Sequence, residues 1–249
     1  MKHFILIQLL ATVFALPAFA QLSTSPDVFR TEQGELIVYP VNHGSIVFMF
    51  NDKTVFVDPY GGGGLFNRFG APDVIFITDI HGDHYNPQTL DGLDIENATF
   101  VVPRAVAEQM GELYGDQLAV IGNGESAEVV NISVSAIPMY NLPGDETVRH
   151  PKGRGNGYII DFGGRTVYIS GDTEDIPEMR ALEGIDIAFV CMNLPYTMDI
   201  HQASNAVLDF QPSVVYPYHH RGQDIEEFKK LVDEAGIDVE VRLKDWYSN

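Results

Sequence analysis

The chain has 249 residues, of which 45% are hydrophobic and 20% charged, and its formal charge at pH 7 is −20. That length allows one large domain or two small ones. So acidic a chain has no basic stripe for phosphate backbones, which excludes nucleic acid as the expected partner, and its one cysteine, Cys191, excludes a disulfide within the chain.

The first element is a targeting segment. Lys2 is followed by a nearly unbroken apolar run over 4–16 and then by Ala18-Phe19-Ala20, a small-x-small cleavage pattern. The run is too short to cross a hydrocarbon layer of roughly 30 Å as a helix. It predicts a signal peptide over 1–20, a mature chain starting at Gln21, and a periplasmic or secreted location without stable membrane insertion after cleavage. No cysteine follows the cleavage position to carry a lipid.

Short β-branched and aromatic runs predict strands at 35–40, 45–50, 54–57, 73–78, 99–102, 118–121, 131–138, 157–162, 166–170, 186–191, 213–217 and 239–243. Helical patterns fall at 104–114, 176–183, 200–210 and 224–236. The first half is mostly strand and the second alternates strand with helix, which suits an α/β protein with two sheets inside and helices outside. No linker, low-complexity stretch or repeat divides 21–249, so one domain is expected. Cys191, inside the apolar run 187–191, reads as a small buried hydrophobe.

Several strands end in a particular kind of polar residue. Val74-Ile75-Phe76-Ile77 runs into Thr78-Asp79-Ile80-His81, Val167-Tyr168-Ile169-Ser170 into Gly171-Asp172, and Val214-Val215-Tyr216-Pro217 into Tyr218-His219-His220. Buried strands that deliver Asp and His at their ends are how a rigid scaffold presents a site. Asp79, His81, Asp83 and His84 place four potential ligands for a divalent ion within six residues. An extended strand end would point Asp79 and His81 the same way, and Gly82 would permit a tight turn redirecting Asp83 and His84. The alternative is a polar loop with two surface histidines.

The segment Asp79-x-His81-x-Asp83-His84 resembles the His-x-His-x-Asp-His signature of the metallo-β-lactamase superfamily. Asn42-His43-Gly44, Val57-Asp58-Pro59, Gly171-Asp172-Thr173 and Pro217-Tyr218-His219 resemble the lactonase-like branch of that superfamily. The segments at 138–141, 150–158 and 171–179 are similar to those of a group of bacterial hydrolases in it. The resemblance implies a four-layer αββα sandwich and a metal-dependent hydrolase. It implies that Asp79, His81 and a third-motif residue hold one metal, that Asp83, His84 and His219 hold a second, and that Asp172 bridges the two. Two divalent ions are thus expected, zinc first, with manganese or iron as alternatives because Asp79 replaces a histidine and hardens the donor set. The third-motif residue is His150 or Asn141; His150 is favoured because imidazole is the commoner ligand.

On this scheme a dinuclear-metal-activated hydroxide attacks an ester, lactone or phosphodiester. Asp83 and His43 are the expected catalytic residues, Asp83 orienting the hydroxide and His43 touching substrate or supporting a ligand; for His43 a structural hydrogen bond is the alternative. His220 is expected to face substrate or the surface, and His201 to lie exposed on a helix. Gly61 to Gly64 predict a mobile loop at the site mouth, without the Lys-Ser/Thr ending of a P-loop. Lys152 and Arg154 are candidates for anchoring an anionic small-molecule substrate. The competing reading, suggested only by Asp79, is a periplasmic metal-binding protein of the same fold without turnover.

Overall fold

The computed structural model describes residues 22–247, so the predicted signal peptide and its cleavage position lie outside the described residues. Among the described residues, fourteen strands form two seven-stranded mixed sheets. The first contains β1 (Asp27–Thr31), β2 (Gly34–Asn42), β3 (Ser45–Phe50), β4 (Lys53–Val57), β5 (Val74–Phe76), β6 (Thr99–Val102) and β7 (Leu118–Val120), in that spatial order. The second contains β8 (Ser126–Val129), β9 (Ile132–Met139), β10 (Gly155–Asp161), β11 (Thr166–Ile169), β12 (Ile187–Cys191), β13 (Val214–Tyr218) and β14 (Glu240–Val241), again in order. In each sheet the first four strands are antiparallel and the last four run parallel. The two halves therefore repeat one topology, although no repeat is visible in the sequence; strand pairing constrains hydrogen bonds and faces, not residue identity.

Alternation along the strands sets the layers. Val74 and Phe76 join the core between the sheets, while Ile75 and Ile77 join a second core on the opposite face; Phe48 and Val47 divide in the same way. Phe48 meets Phe162 and Phe189 across the interface, with ring centroids 5.1 and 5.7 Å away. Outside the first sheet pack α1 (Pro87–Leu90) and α2 (Arg104–Met110), whose Leu90, Val106 and Met110 fill the second core. Outside the second sheet lie α3 (Pro177–Arg180), α4 (Ile200–Phe210) and α5 (Ile225–Glu234), which bury Met179, Ala203, Val207, Phe228 and Val232. This is the layered α/β sandwich expected.

The sequence misses three elements. β1 is an edge strand whose half-exposed, polar residues carry a weak apolar signal, and β8 is similar. α1 is one turn, set by the Asn86 cap and Pro87 rather than by periodicity. The helix predicted over 104–114 stops at Met110, because Gly111 takes φ 62°, and continues as a 3₁₀ segment to Gln117. No helix among the described residues is long and apolar enough to cross a membrane.

Candidate metal centre

The strand ends that carry the acidic and imidazole residues meet along one edge of the sandwich. β4 leads into Asp58, β5 into the segment 77–84, β11 into Asp172, β12 into Asn193 and β13 into His219. After β5 the chain turns, with the N–H groups of His84 and Tyr85 both bonded to His81 O. Gly44 has no room for a side chain, since a Cβ there would come within 2.8 Å of the His219 ring.

Three overlapping groups of potential ligand atoms result, each with its atoms within 4.8 Å of one another: Asp79, His81 and His150; His84, Asp172 and His219; and His43, Asp83 and His219. One oxygen of Asp172, Oδ2, lies 3.3 Å from both His84 Nε2 and His150 Nε2 and so stands between the first two groups. Asp83 Oδ1 lies 4.0 Å from His84 Nε2, and its Oδ2 lies 3.5 Å from His219 Nε2.

Three of the histidines are oriented from behind. Asp58 is fully buried and accepts from Thr78 N (2.8 Å), Thr78 Oγ1 (2.6 Å) and His84 Nδ1 (2.8 Å), which turns His84 Nε2 towards the centre. Asn141 donates through Nδ2 to Tyr196 O and Glu174 Oε1, so its Oδ1 is the acceptor for His150 Nδ1 at 2.8 Å and His150 N at 3.0 Å. Asn141 thus supports the third-motif residue and is not itself turned to the centre; His150 is. The Asn193 amide reaches His219 Nδ1 at 3.0 Å. Rotated about its own axis it accepts the Nδ1 proton through Oδ1, an atom otherwise without a partner, and leaves Nε2 bare.

His84 Nε2, His150 Nε2, His219 Nε2 and Asp172 Oδ1 are buried without a directed hydrogen bond, while His81 Nδ1 lies 2.5 Å from Asp79 Oδ2. Each such atom costs about 1–3 kcal/mol unless satisfied. Nitrogen and carboxylate donors that converge in this way fit divalent cations, which satisfy them together.

The electrostatics without cations show how tightly the groups are coupled. Burial opposes charge on the Asp172 carboxyl, but His219, His84 and His150 outweigh it and hold it well below the usual range. Burial likewise opposes charge on His84, yet Asp172 and Asp58 raise it well above an ordinary histidine. Asp83 is held far down by His219 and His43 against its partial burial. Burial lowers His43, whose Nε2 meets Asp83 Oδ2 at 3.2 Å and whose Nδ1 meets Tyr247 Oη at 3.1 Å. Tyr247 Oη already accepts from Arg221 N at 2.7 Å, so its proton is free for His43 Nδ1, and His43 Nε2–H then donates to Asp83.

Several expectations are corrected. Arg154 is not free for substrate: its guanidinium grips both oxygens of Asp79, and Lys152 pairs with Glu178 while its ammonium lies over the Tyr140 ring. Gly82 has an ordinary negative φ and open space at its Cβ position, so no turn demands it; it lines the cavity, where a side chain would intrude. Within the Gly61–Gly64 stretch only Gly63 is buried, where a Cβ would come 2.3 Å from Gly92 O, whereas Gly62 and Gly64 have open space at their Cβ positions. His220 is buried against the Tyr247 ring rather than facing the surface, because β13 ends at Tyr218 and His219 turns the chain with φ 49°. His201 is exposed on α4.

Sequence reasoning gave no role to Asp58, Asn193 or Tyr247. Asp58 and Asn193 carry a usable signal, a polar residue directly after a buried strand. Tyr247 carries none, since it meets His43 from 204 positions away.

Comparison with known proteins follows this geometry. Residues 38–219 match the family model described as the beta-lactamase superfamily domain. The chain is 31% identical over 216 residues to a UPF0173 metal-dependent hydrolase of Staphylococcus carnosus, covering 79% of this chain and 94% of that one. A crystal structure from Parabacteroides distasonis, named for a metal-dependent hydrolase, superposes with a TM-score of 0.79 at 35% identity, over 89% of this chain and all of that one. Igni18, a metallo hydrolase of Ignicoccus hospitalis, shares the fold with a TM-score of 0.71 at 24% identity, over 86% of this chain and 96% of that one.

Proposed function

The chain belongs to the beta-lactamase superfamily domain family and, within it, to the UPF0173 metal-dependent hydrolases, and from that premise we propose that it is an exported hydrolase with a dinuclear centre. The carrying observation is the set of four buried ligand atoms without a directed hydrogen bond, His84 Nε2, His150 Nε2, His219 Nε2 and Asp172 Oδ1, which converge around Asp172. On this reading Asp79, His81 and His150 hold one divalent ion, Asp83, His84 and His219 hold another, and Asp172 belongs to both. Zinc is the proposed ion, with manganese or iron(II) as alternatives, and the substrate is an ester, lactone or phosphodiester. Bound ions supply Lewis acidity, lowering the pKa of water to about 7 and polarising a carbonyl or phosphoryl oxygen.

The chain's own residues do the rest. Asp83 lines the cavity, where its carboxylate orients the attacking water. His43 steadies that carboxylate through Nε2 and is itself fixed by Tyr247. Asp58, Asn141 and Asn193 keep three imidazoles in the tautomer and direction the centre needs. The buried strand ends exclude bulk water from behind. Export rests on the apolar run and on Ala18-Phe19-Ala20.

The test combines elemental analysis with turnover on a panel of aryl esters, lactones and phosphodiesters. Two ions per chain are expected in the parent, one fewer in His150→Ala, and lower content with lost hydrolysis in Asp172→Ala. Full metal content in Asp172→Ala rejects the dinuclear centre; a fully loaded parent inert across the panel rejects turnover.

A further inference from the structure

Two arginines stand at the mouth of the cavity into which the candidate centre opens. Arg149 directly precedes His150, and Arg221 follows His219 by two positions. Their guanidinium carbons lie 4.5 and 5.9 Å from the centroid of one ring, that of Tyr196. All three residues line the same cavity, of about 690 Å³, as Asp83 and Asp172.

Both guanidiniums lack an ion-pair partner among the described residues, unlike Arg154, Arg165, Arg180 and Arg242; Arg30, Arg68 and Arg104 are also without one, but they do not line this cavity. In a chain of charge −20, Arg149 and Arg221 place two positive charges at the entrance of the polar cavity that Asp83 and Asp172 also line. A guanidinium presents a planar fork of donors that matches carboxylate and phosphate oxygens, and stacking on an aromatic ring holds that fork in one plane.

The platform beneath them is tied to the centre at two points. Tyr196 O accepts from Asn141 Nδ2 at 2.8 Å, and Asn141 Oδ1 in turn holds His150. Tyr196 N donates to Asn193 O at 2.8 Å, and the Asn193 side chain holds His219. Arg221 adopts φ 48°, a left-handed conformation that side chains rarely take, and its N–H is fixed on Tyr247 Oη. One short segment, 193–196, thus fixes two histidines of the centre and the ring on which both arginines lie.

We propose that Arg149 and Arg221, stacked on Tyr196, form an anion clamp that binds a carboxylate or phosphate group of the substrate beside the bond to be hydrolysed. The clamp rests on the hydrolase reading for its role but not for its existence. It assigns the anionic anchor to the strand-end residues next to His150 and His219 rather than to Lys152 and Arg154, whose charges are already engaged.

The test uses the metal-loaded protein and two arms. In the first, kcat/KM is compared for 4-nitrophenyl pentanoate and for mono-4-nitrophenyl glutarate, which differ by a terminal carboxylate. The parent should prefer the glutarate by roughly tenfold or more, as charge-assisted hydrogen bonds allow, and Arg149→Ala/Arg221→Ala should bring the ratio close to one. Lys152→Ala should leave the ratio as it is; loss of the preference there places the anion on the 150–158 loop and overturns the clamp. In the second arm, glutarate and inorganic phosphate are titrated by calorimetry into parent and double variant. The affinity of at least one should fall roughly tenfold in the double variant, and the tighter binder identifies the group. Equal affinity in both proteins for both anions overturns the proposal. If neither ester is hydrolysed, the ester reading of the substrate has failed, and calorimetry still decides the clamp.

Discussion

Arg154 closes a two-point hydrogen bond on Asp79, Nε to Oδ1 at 3.1 Å and Nη2 to Oδ2 at 3.0 Å. The carboxylate that stands where the superfamily signature has histidine therefore brings its own counter-cation. Burial opposes its charge, yet the His81 contact and the charges of His84 and Arg154 hold the Asp79 carboxyl at about 2. With Arg154 in place, the donor set carries less net charge than a bare carboxylate would give it.

Asp79→His should consequently do more than alter the metal. It leaves Arg154, whose side chain is only 19% exposed, without a partner, and breaking such a pair costs about 2–3 kcal/mol or more. The double variant Asp79→His/Arg154→Met should recover most of that loss in denaturant unfolding of the metal-free protein. An unstabilised double variant would mean that the pair is not what Asp79 contributes to folding.

Arg154→Gln should shift metal choice in the direction opposite to Asp79→His. The uncompensated carboxylate favours hard ions, so the affinity for manganese relative to zinc should rise by roughly tenfold in competition titrations. An unchanged ratio would show that Arg154 does not tune the centre.

Asp58 and Asn141 act through the histidines they hold. Asp58→Ala and Asn141→Ala should each lower metal affinity roughly 10–100-fold. Asn141→Asp, which keeps an acceptor for His150 Nδ1, should retain more metal than Asn141→Ala. Equal losses in the two Asn141 variants would mean that the acceptor is not the feature that matters.

His220 should make the metal-free protein acid-sensitive in a defined window. Burial, with His43 and His219 nearby, pushes its imidazole from 6.5 down to about 4. A lowered histidine favours the neutral form in the folded state, so its contribution is complete above the unfolded value and is lost as pH falls from 6.5 towards 4. The loss is on the order of 2 kcal/mol after allowance for partial solvation. Thermal unfolding of parent and His220→Gln across that range should show the parent losing Tm more steeply; parallel curves would remove His220 from the acid response.

Mass spectrometry of protein recovered from the native host should find Gln21 at the amino terminus. Full-length protein retained in the cytoplasm would remove the export proposal.

Apart from the edge strands β1 and β8, the sequence alone determined the strands, their alternating faces and the polar residues that end them. A side chain's face depends only on its position along its own strand, so Val74 to His81 could be read without knowing any neighbour. It also revealed the spacing that gathers Asp79, His81, Asp83 and His84, because those four lie within one turn of chain. Only the tertiary structure decided what each polar group touches: Asp58 on His84 across 26 positions, Arg154 on Asp79 across 75, Tyr247 on His43 across 204. The reason is that burial obliges a polar atom to find a partner but does not say which one. That choice falls to whichever strand end the sheet order brings alongside, and sheet order is a property of the whole chain.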